Sequence, residues 1–458
     1  MKLDGDFPTV LFSIEIGARE LDSKLVLASM LAAKGCRVVV GHKEALKAVA
    51  RSSRRVLWQG KSLFSGRGRE YIADRLLGNG SAIMFIHDEG AMHQVDAWTE
   101  NVLKNHHVDD IRRRKISRVC VWGDRQKEVL SSYAPELSEI IRVTGTPRFD
   151  LCSTKYAWLT ESHAGEAQSK YKPYILACSR FVNAAHADGQ GDPFQRRMNP
   201  AIWPDNFDLE SISNIVFSQW RRAVHDFADF VVLIKEIAIR HPHHTVVLRP
   251  HPSESLDFYR LAFKYFENVV VTNEGSVLKW IRSADLVVHS NCTTGIEAVL
   301  AGRPVLNLLP AASGRESTDV EVAREAGVSV SSIGEAIDNV ATLIAGDAPQ
   351  HVWSPHALSM LHNLKGESIP TLVDETLSVL KQERIDSSQV ELPEFSKLRA
   401  MAREFIKKSP TTAHIASKRG GSLSAGHIEM VVEGCRQNVG GGGRVRHITE
   451  KYVVLDPA

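Results

Sequence analysis

The 458-residue chain has little of what would commit it early to a protein class. Its six cysteines, Cys36, Cys120, Cys152, Cys178, Cys292 and Cys435, are scattered and never spaced as CxxC. That excludes the common zinc and redox motifs, and metal binding is not expected. Thiols inside apolar runs such as RVCVW and YILACS are expected to be buried and reduced, which suits a cytoplasmic protein. Charge of one sign is not in excess either. The 56 basic residues against 54 acidic ones leave a formal +2, no global field that would select nucleic acid, so a bound anion needs a local site. No apolar run reaches about 18 residues, and MKLDGDFPTVLF lacks the basic region and apolar core of a signal peptide. Work at a membrane would then be a peripheral contact at its inner face.

What is present is an ordinary globular composition, 43% hydrophobic and 24% charged, on a length that calls for two domains or more. From Thr9 the chain reads TVLFSIEI, then ARELDSKLVLASMLAAKG, then CRVVVG. Leu21, Leu25, Ala28, Leu31 and Ala32 recur at helical spacing between two short β-branched runs, which predicts strand, helix, strand. Further strands are expected at RVLWQG, SAIMFIH, RVCVWG and IIRVTG, and after residue 165 at YILACS, HTVVLRPHP, NVVVT and ADLVVHS, with helices between them. The fold class expected is α/β, GT-B-like, with two Rossmann-like domains facing a central cleft. The domains are placed at 1–165 and 166–385. Residues 386–458 are expected to be a partly helical, flexible tail because of the run NVGGGGRVR, and 187–211 a long loop or lid over the cleft.

Three strand ends carry chemistry. In ADLVVHSNCTTGIEAVLAGRPVLNLL, the hydroxyls of Ser290, Thr293 and Thr294 fall where a helix starts, which suits a phosphate, and Glu297 is placed to meet a ribose hydroxyl. A plain N-cap by either threonine explains the same residues. In VVLRPHPSES, Arg249 and His251 are separated by one proline and followed by another, Pro252, so a cation and a ring donor are held in a fixed direction. The alternative is a surface turn. In HDEGAM, Asp88 and Glu89 could take a proton from an acceptor hydroxyl, or form only a turn with Gly90. HHVDD and HPHH lack the spacing of a zinc site.

Taken in order, IEIGARELDSKLVLASMLAAKGCRVVVG, GRGREYIA, HDEG, VWGDRQKEVL, VTGTPRFDL, LRPHPSES and HSNCTTGIEAVLAGRPVLN resemble the bacterial surface carbohydrate biosynthesis proteins. That group looks like the GT-B Kdo transferases and the sialyltransferases that use CMP-activated ulosonic acids. The resemblance covers roughly residues 10–380. It implies a metal-independent glycosyltransferase, without cofactor, that moves an ulosonic acid from a CMP-sugar donor to a glycan or glycolipid acceptor. Glu89, with Asp88 in reserve, would do the acid–base work, and Glu15, Arg19 and Gly90 would line the acceptor side. Arg249, His251, Pro252, Ser290, Thr293, Thr294 and Glu297 would hold the nucleotide. A CDP-glycerol-type phosphotransferase and a non-catalytic sugar-nucleotide-binding subunit are the alternatives. One departure bears on mechanism: YILACS runs into RFVNAAH with no acid until Asp188, so the second carboxylate of a double displacement is absent from its expected place.

Overall fold

The computed structural model describes residues 2–3, 5–14, 17–60, 70–86, 115–161, 169–189, 191–199, 208–310, 320–392, 423–449 and 451–457. After a two-residue strand, β1 (Lys2–Leu3), the chain enters β2 (Thr9–Ile14), whose six residues are all buried. A strand that is apolar on both sides must be covered on both. Val10, Phe12 and Ile14 join one core with Leu25, Ala28, Leu31 and Ala32 of helix α1 (Gly17–Ala33), and Leu11 joins a second with Val39 and Trp58. The alternation continues through β3 (Arg37–His42), α2 (Lys43–Ser52), β4 (Val56–Gly60), α3 (Glu70–Gly78), β5 (Ala82–Ile86), β6 (Arg118–Val121), α4 (Asp124–Tyr133), β7 (Ile141–Val143) and the single-turn helix α5 (Pro147–Asp150). The six long-paired strands are parallel, in the order β3-β2-β4-β5-β6-β7.

A second sheet begins at β8 (Tyr174–Cys178) and continues through α6 (Leu209–Arg240), β9 (Thr245–Arg249), α7 (Leu256–Ala262), β10 (Val269–Val271), α8 (Val277–Ser283), β11 (Leu286–His289), α9 (Thr293–Leu300), β12 (Val305–Leu308), β13 (Val328–Val330) and α10 (Ile333–Ile344). All its pairings are parallel, in the order β10-β9-β8-β11-β12-β13. Numbered within the unit, that is 3-2-1-4-5-6, the doubly wound order in which a crevice opens where the winding reverses, here between β8 and β11. Two Rossmann-like units of this kind make the chain an α/β protein of GT-B-like fold.

The last part of the chain departs from expectation. Helix α11 (Ser368–Gln382) returns to the first unit, where Ile369, Leu372, Val373 and Val379 share the core of α1. Strand β14 (Val390–Glu391) pairs with β1. Helix α12 (Ala425–Asn438) then packs on α1, and strands β15 (Arg444–Thr449) and β16 (Tyr452–Asp456) extend the first sheet, β16 lying antiparallel to β3. The expected flexible tail of 386–458 is therefore corrected for its described residues: 386–392, 423–449 and 451–457 are structural members of the first unit, and 393–422 lie outside the described residues. The glycine run is a packed turn, not a linker. Gly440 and Gly443 take positive φ of 68° and 109°, and the Gly442 N–H donates to Ser29 O at 2.9 Å. A Cβ on Gly441 would lie 2.6 Å from that of Cys435. Side chains are missing there because backbone must pass close to α1. The expected loop at 187–211 also holds a short helix, Asp192–Arg197, and the first turn of α6, capped by Asp208 accepting from Ser211 N at 2.8 Å.

Candidate functional site

Loops at the carboxyl ends of β8, β9 and β11 meet at the crevice of the second unit. The loop after β11 is the most rigidly built. Asn291 sits at φ 48° and donates its N–H to Asn307 Oδ1 at 3.0 Å, while its side chain bonds both ways with the Val320 backbone, accepting from Val320 N at 2.7 Å and donating to Val320 O at 3.1 Å. His289 is fully buried. Its Nδ1 accepts from Cys292 N at 3.1 Å, which puts the ring proton on Nε2, 3.1 Å from the Ala326 carbonyl. Burial lowers its pKa to about 4, so the ring stays neutral. Gly295 is required by this packing, since a Cβ there would come 2.2 Å from His289 Nε2.

These contacts hold the start of α9 in place. Cys292, the N-cap, makes no side-chain capping bond, so the first-turn N–H groups at Thr293 and Thr294 are presented by a fixed loop at the reversal of the sheet. Both threonines are half-buried and Ser290 is buried. The loop after β11 is thus able to bind an anion through backbone N–H groups and hydroxyls.

The loop after β9 divides the expected pair. His251 is half-buried, and its Nδ1 accepts from Ser253 N at 3.1 Å, which leaves Nε2 as the proton-bearing nitrogen; Pro252 is half-buried beside it. Arg249 does not face the crevice. It is buried, donates through Nη1 to Glu274 O at 2.7 Å and through Nη2 to Gly275 O at 3.0 Å, and lies over the Trp280 ring. Desolvation lowers its pKa to about 10. Two of its five donors are held by the carbonyls after β10, which gives it a scaffold role beside the expected phosphate one.

Glu297 also differs from expectation. Its buried carboxylate forms an ion pair, Oε1 to Arg148 Nε at 2.7 Å, with a residue of α5 in the first unit. That oxygen is committed to the junction between the units and is not open to a ribose. Sequence reading passed over Arg148, although VTGTPRFDL contains it. It also passed over Glu254, a buried carboxylate whose Oε2 accepts from Ser179 Oγ at 2.7 Å and from Tyr259 OH at 2.5 Å. Burial pushes its pKa up to about 7, against the opposing effect of those hydrogen bonds. Glu254 ties the ends of β8 and β9 to α7.

On the first unit, Asp88, Glu89, Gly90 and Glu15 lie outside the described residues, as does HHVDD. Arg19 is on α1, its Nη2 3.6 Å from Glu20 Oε1. Glu20 also accepts from Lys24 Nζ at 2.8 Å, and Lys24 donates to Ser13 O at 2.6 Å. This buried charged group stands at the carboxyl end of β2, beside the reversal of the first sheet; its signal was an i,i+4 Glu–Lys pair inside an apolar helix. A cavity of about 370 Å³ lined by Glu429, Glu433, Arg436 and Arg444 lies at the opposite edge, between α12 and β15. Among the described residues, no cluster of His, Cys, Asp or Glu could hold a metal, and no helix is long and apolar enough to cross a membrane.

No protein-family model matches the chain, and no curated protein matches it. It is similar to solved structures. One is a Neisseria meningitidis UDP-GlcNAc 2-epimerase bound to UDP-GlcNAc: 14% identity, 81% of this chain and 99% of that one, TM-score 0.46. Another is S. aureus MnaA with UDP: 13% identity, 82% and 97% covered, TM-score 0.47. A third is a putative UDP-N-acetylglucosamine 2-epimerase from Listeria monocytogenes: 12% identity, 82% and 97% covered, TM-score 0.48. The ligands in the first two are UDP-GlcNAc and UDP. Neither is a CMP-sugar, and the expected ulosonic-acid transfer from a CMP-sugar donor is corrected on that finding: the resemblance rested on short motifs shared by proteins of one fold, which do not fix the base or the sugar.

Proposed function

We propose that the chain is an enzyme of sugar-nucleotide metabolism that binds a nucleoside diphosphate sugar in the cleft between its two units. One observation carries this reading: the immobilised loop Ser290–Thr294 presents an uncapped helix start at the winding reversal of a 3-2-1-4-5-6 sheet. That is where a doubly wound sheet receives phosphate groups. His251 stands at the neighbouring strand end, its Nδ1 accepting from Ser253 N at 3.1 Å. Backbone N–H groups and hydroxyls stabilise negative charge on a departing diphosphate.

The binding assay starts with UDP and UDP-GlcNAc, the ligands of the similar structures. Calorimetry is expected to show UDP bound, with uridine at least about tenfold weaker, because hydrogen bonds to charged oxygens contribute roughly 1.5–3 kcal/mol each. Equal affinity for uridine and UDP would remove the phosphate reading. Epimerisation at C2, the reaction named for the similar proteins, breaks and remakes a C–H bond. Incubation with UDP-GlcNAc in D2O followed by proton NMR is expected to show deuterium at C2. Nucleotide binding without any change in the sugar would leave a sugar-nucleotide-binding protein.

A further inference from the structure

We propose that Arg148 is the guanidinium that meets the ligand's phosphates, and that Glu297 is the positioning residue that aims it. The proposal rests on the anion-binding reading of the loop after β11. It adds a residue from the first unit, so that the site is complete only when both units are in place.

The argument starts from direction. Side chains on a helix lean toward its N-terminus. Glu297 is the fifth residue of α9, one turn past Thr293, so this lean carries its carboxylate, and the Arg148 side chain paired with it, toward the start of the helix. A guanidinium has five donors in a planar fork, and Arg148 turns its Nε edge to Glu297 as an ion pair, Nε 2.7 Å from Oε1. Its Nη groups remain for a second oxyanion, the bridging use for which arginine is suited. Charge leads to the same place. A carboxylate alone beside a phosphate seat would repel the ligand; Arg249 turns Nη1 and Nη2 to Glu274 and Gly275, whereas Arg180, after β8, adds positive charge near His289. Arg148 neutralises Glu297 and brings donors to the seat.

The element that carries Arg148 is rigid, as a binding side chain requires. The ring of Phe149 packs edge-on to Trp122, centroids 5.1 Å apart. The carboxylate of the buried Asp150 accepts from the N–H groups of Ser368 and Ile369 at 3.0 and 2.6 Å, at the start of α11. Phe149 also shares a core with Ile296 and Val320 of the second unit, and the Arg148 guanidinium lies over its ring, 5.5 Å from the centroid, so Arg148 reaches Glu297 from a packed base.

The test compares UDP and uridine binding to the full chain by calorimetry and NMR titration. Arg148→Met/Glu297→Leu keeps an apolar contact where the ion pair was, so that lost packing is separated from lost charge. It is expected to weaken UDP roughly thirtyfold and leave uridine within about twofold. Arg148→Lys is expected to recover part of the UDP affinity. Glu297→Gln is expected to leave uridine unchanged; a tenfold loss of uridine would assign Glu297 to the ribose and overturn its role here. If the double variant binds UDP as the wild type does, the Arg148 proposal fails while the site reading stands. If the wild type binds no UDP, the site reading fails first, and the proposal with it.

Discussion

The six strands of the second sheet come from one stretch of chain, residues 174–330, whereas the eight of the first come from residues 9–143 and 444–456. The second unit makes its crevice from loops that follow its own strands, fixed by Asn291, Asn307 and His289. The first depends on distant chain. Arg37, buried on β3, donates through Nε to Asp456 Oδ1 at 2.6 Å, across 419 residues of sequence. Helices α11 and α12 cover α1 from the same late part of the chain. The difference separates two kinds of support. The loop after β11 is locally preformed, and its position relative to the first unit is set by a junction at Arg148, paired with Glu297, and at Arg282, whose Nη2 donates to Leu151 O and Ser153 O at 2.7 and 2.8 Å.

Four experiments would break or sharpen that contrast. Truncation after Leu423 removes α12, β15 and β16 and strips β3 of its antiparallel neighbour. The expected outcome is loss of the first unit's calorimetric transition with that of the second retained; loss of both would show that the units fold as one. Gly295→Ala forces a Cβ against His289 and is expected to destabilise the second unit by about 1–3 kcal/mol, read from its denaturant midpoint. Asp150→Ala removes the acceptor for two N–H groups at the start of α11 and is expected to cost about 1–2 kcal/mol in the first unit. An unchanged midpoint would mean that these two bonds add nothing to the first unit.

The smallest effect is in pH dependence. Burial raises the Glu254 pKa from 4.5 to about 7, so the native state holds a proton that the unfolded chain has released. The stability this contributes is present below the unfolded value and is lost as pH rises through about 7. Relative to wild type, Glu254→Gln is therefore expected to gain stability between pH 5 and pH 8, each tenfold difference in proton affinity being roughly 1.4 kcal/mol. A constant difference in melting temperature across that range would mean the carboxylate does not titrate there.

Much of the fold was legible because buried parallel strands leave continuous apolar runs, as in TVLFSI, CRVVVG and YILACS. The strand ends were legible too: SNCTTG and RPHP both lie at the crevice. What failed did so for physical reasons. Composition does not distinguish a glycine linker from a glycine turn pressed against Ser29 and Cys435. Nor does an arginine beside a histidine reveal whether its donors face a ligand or, like those of Arg249, the carbonyls of a neighbouring loop. The partnership of Arg148 with Glu297 joins residues far apart in sequence, and no local pattern carries it. The expected CMP-sugar donor was carried by shared motifs for a related reason, since such motifs report a fold before they report any ligand.

The antiparallel pairing of β16 with β3 also orders events during synthesis. The first sheet is begun with the earliest strands and gains β16 only when residues 452–456 are made, after every strand of the second sheet. A nascent chain therefore holds a complete second sheet beside a half-unit whose β3 edge is still open. On the ribosome, the exposed β3 edge is the surface in need of protection until β16 has emerged.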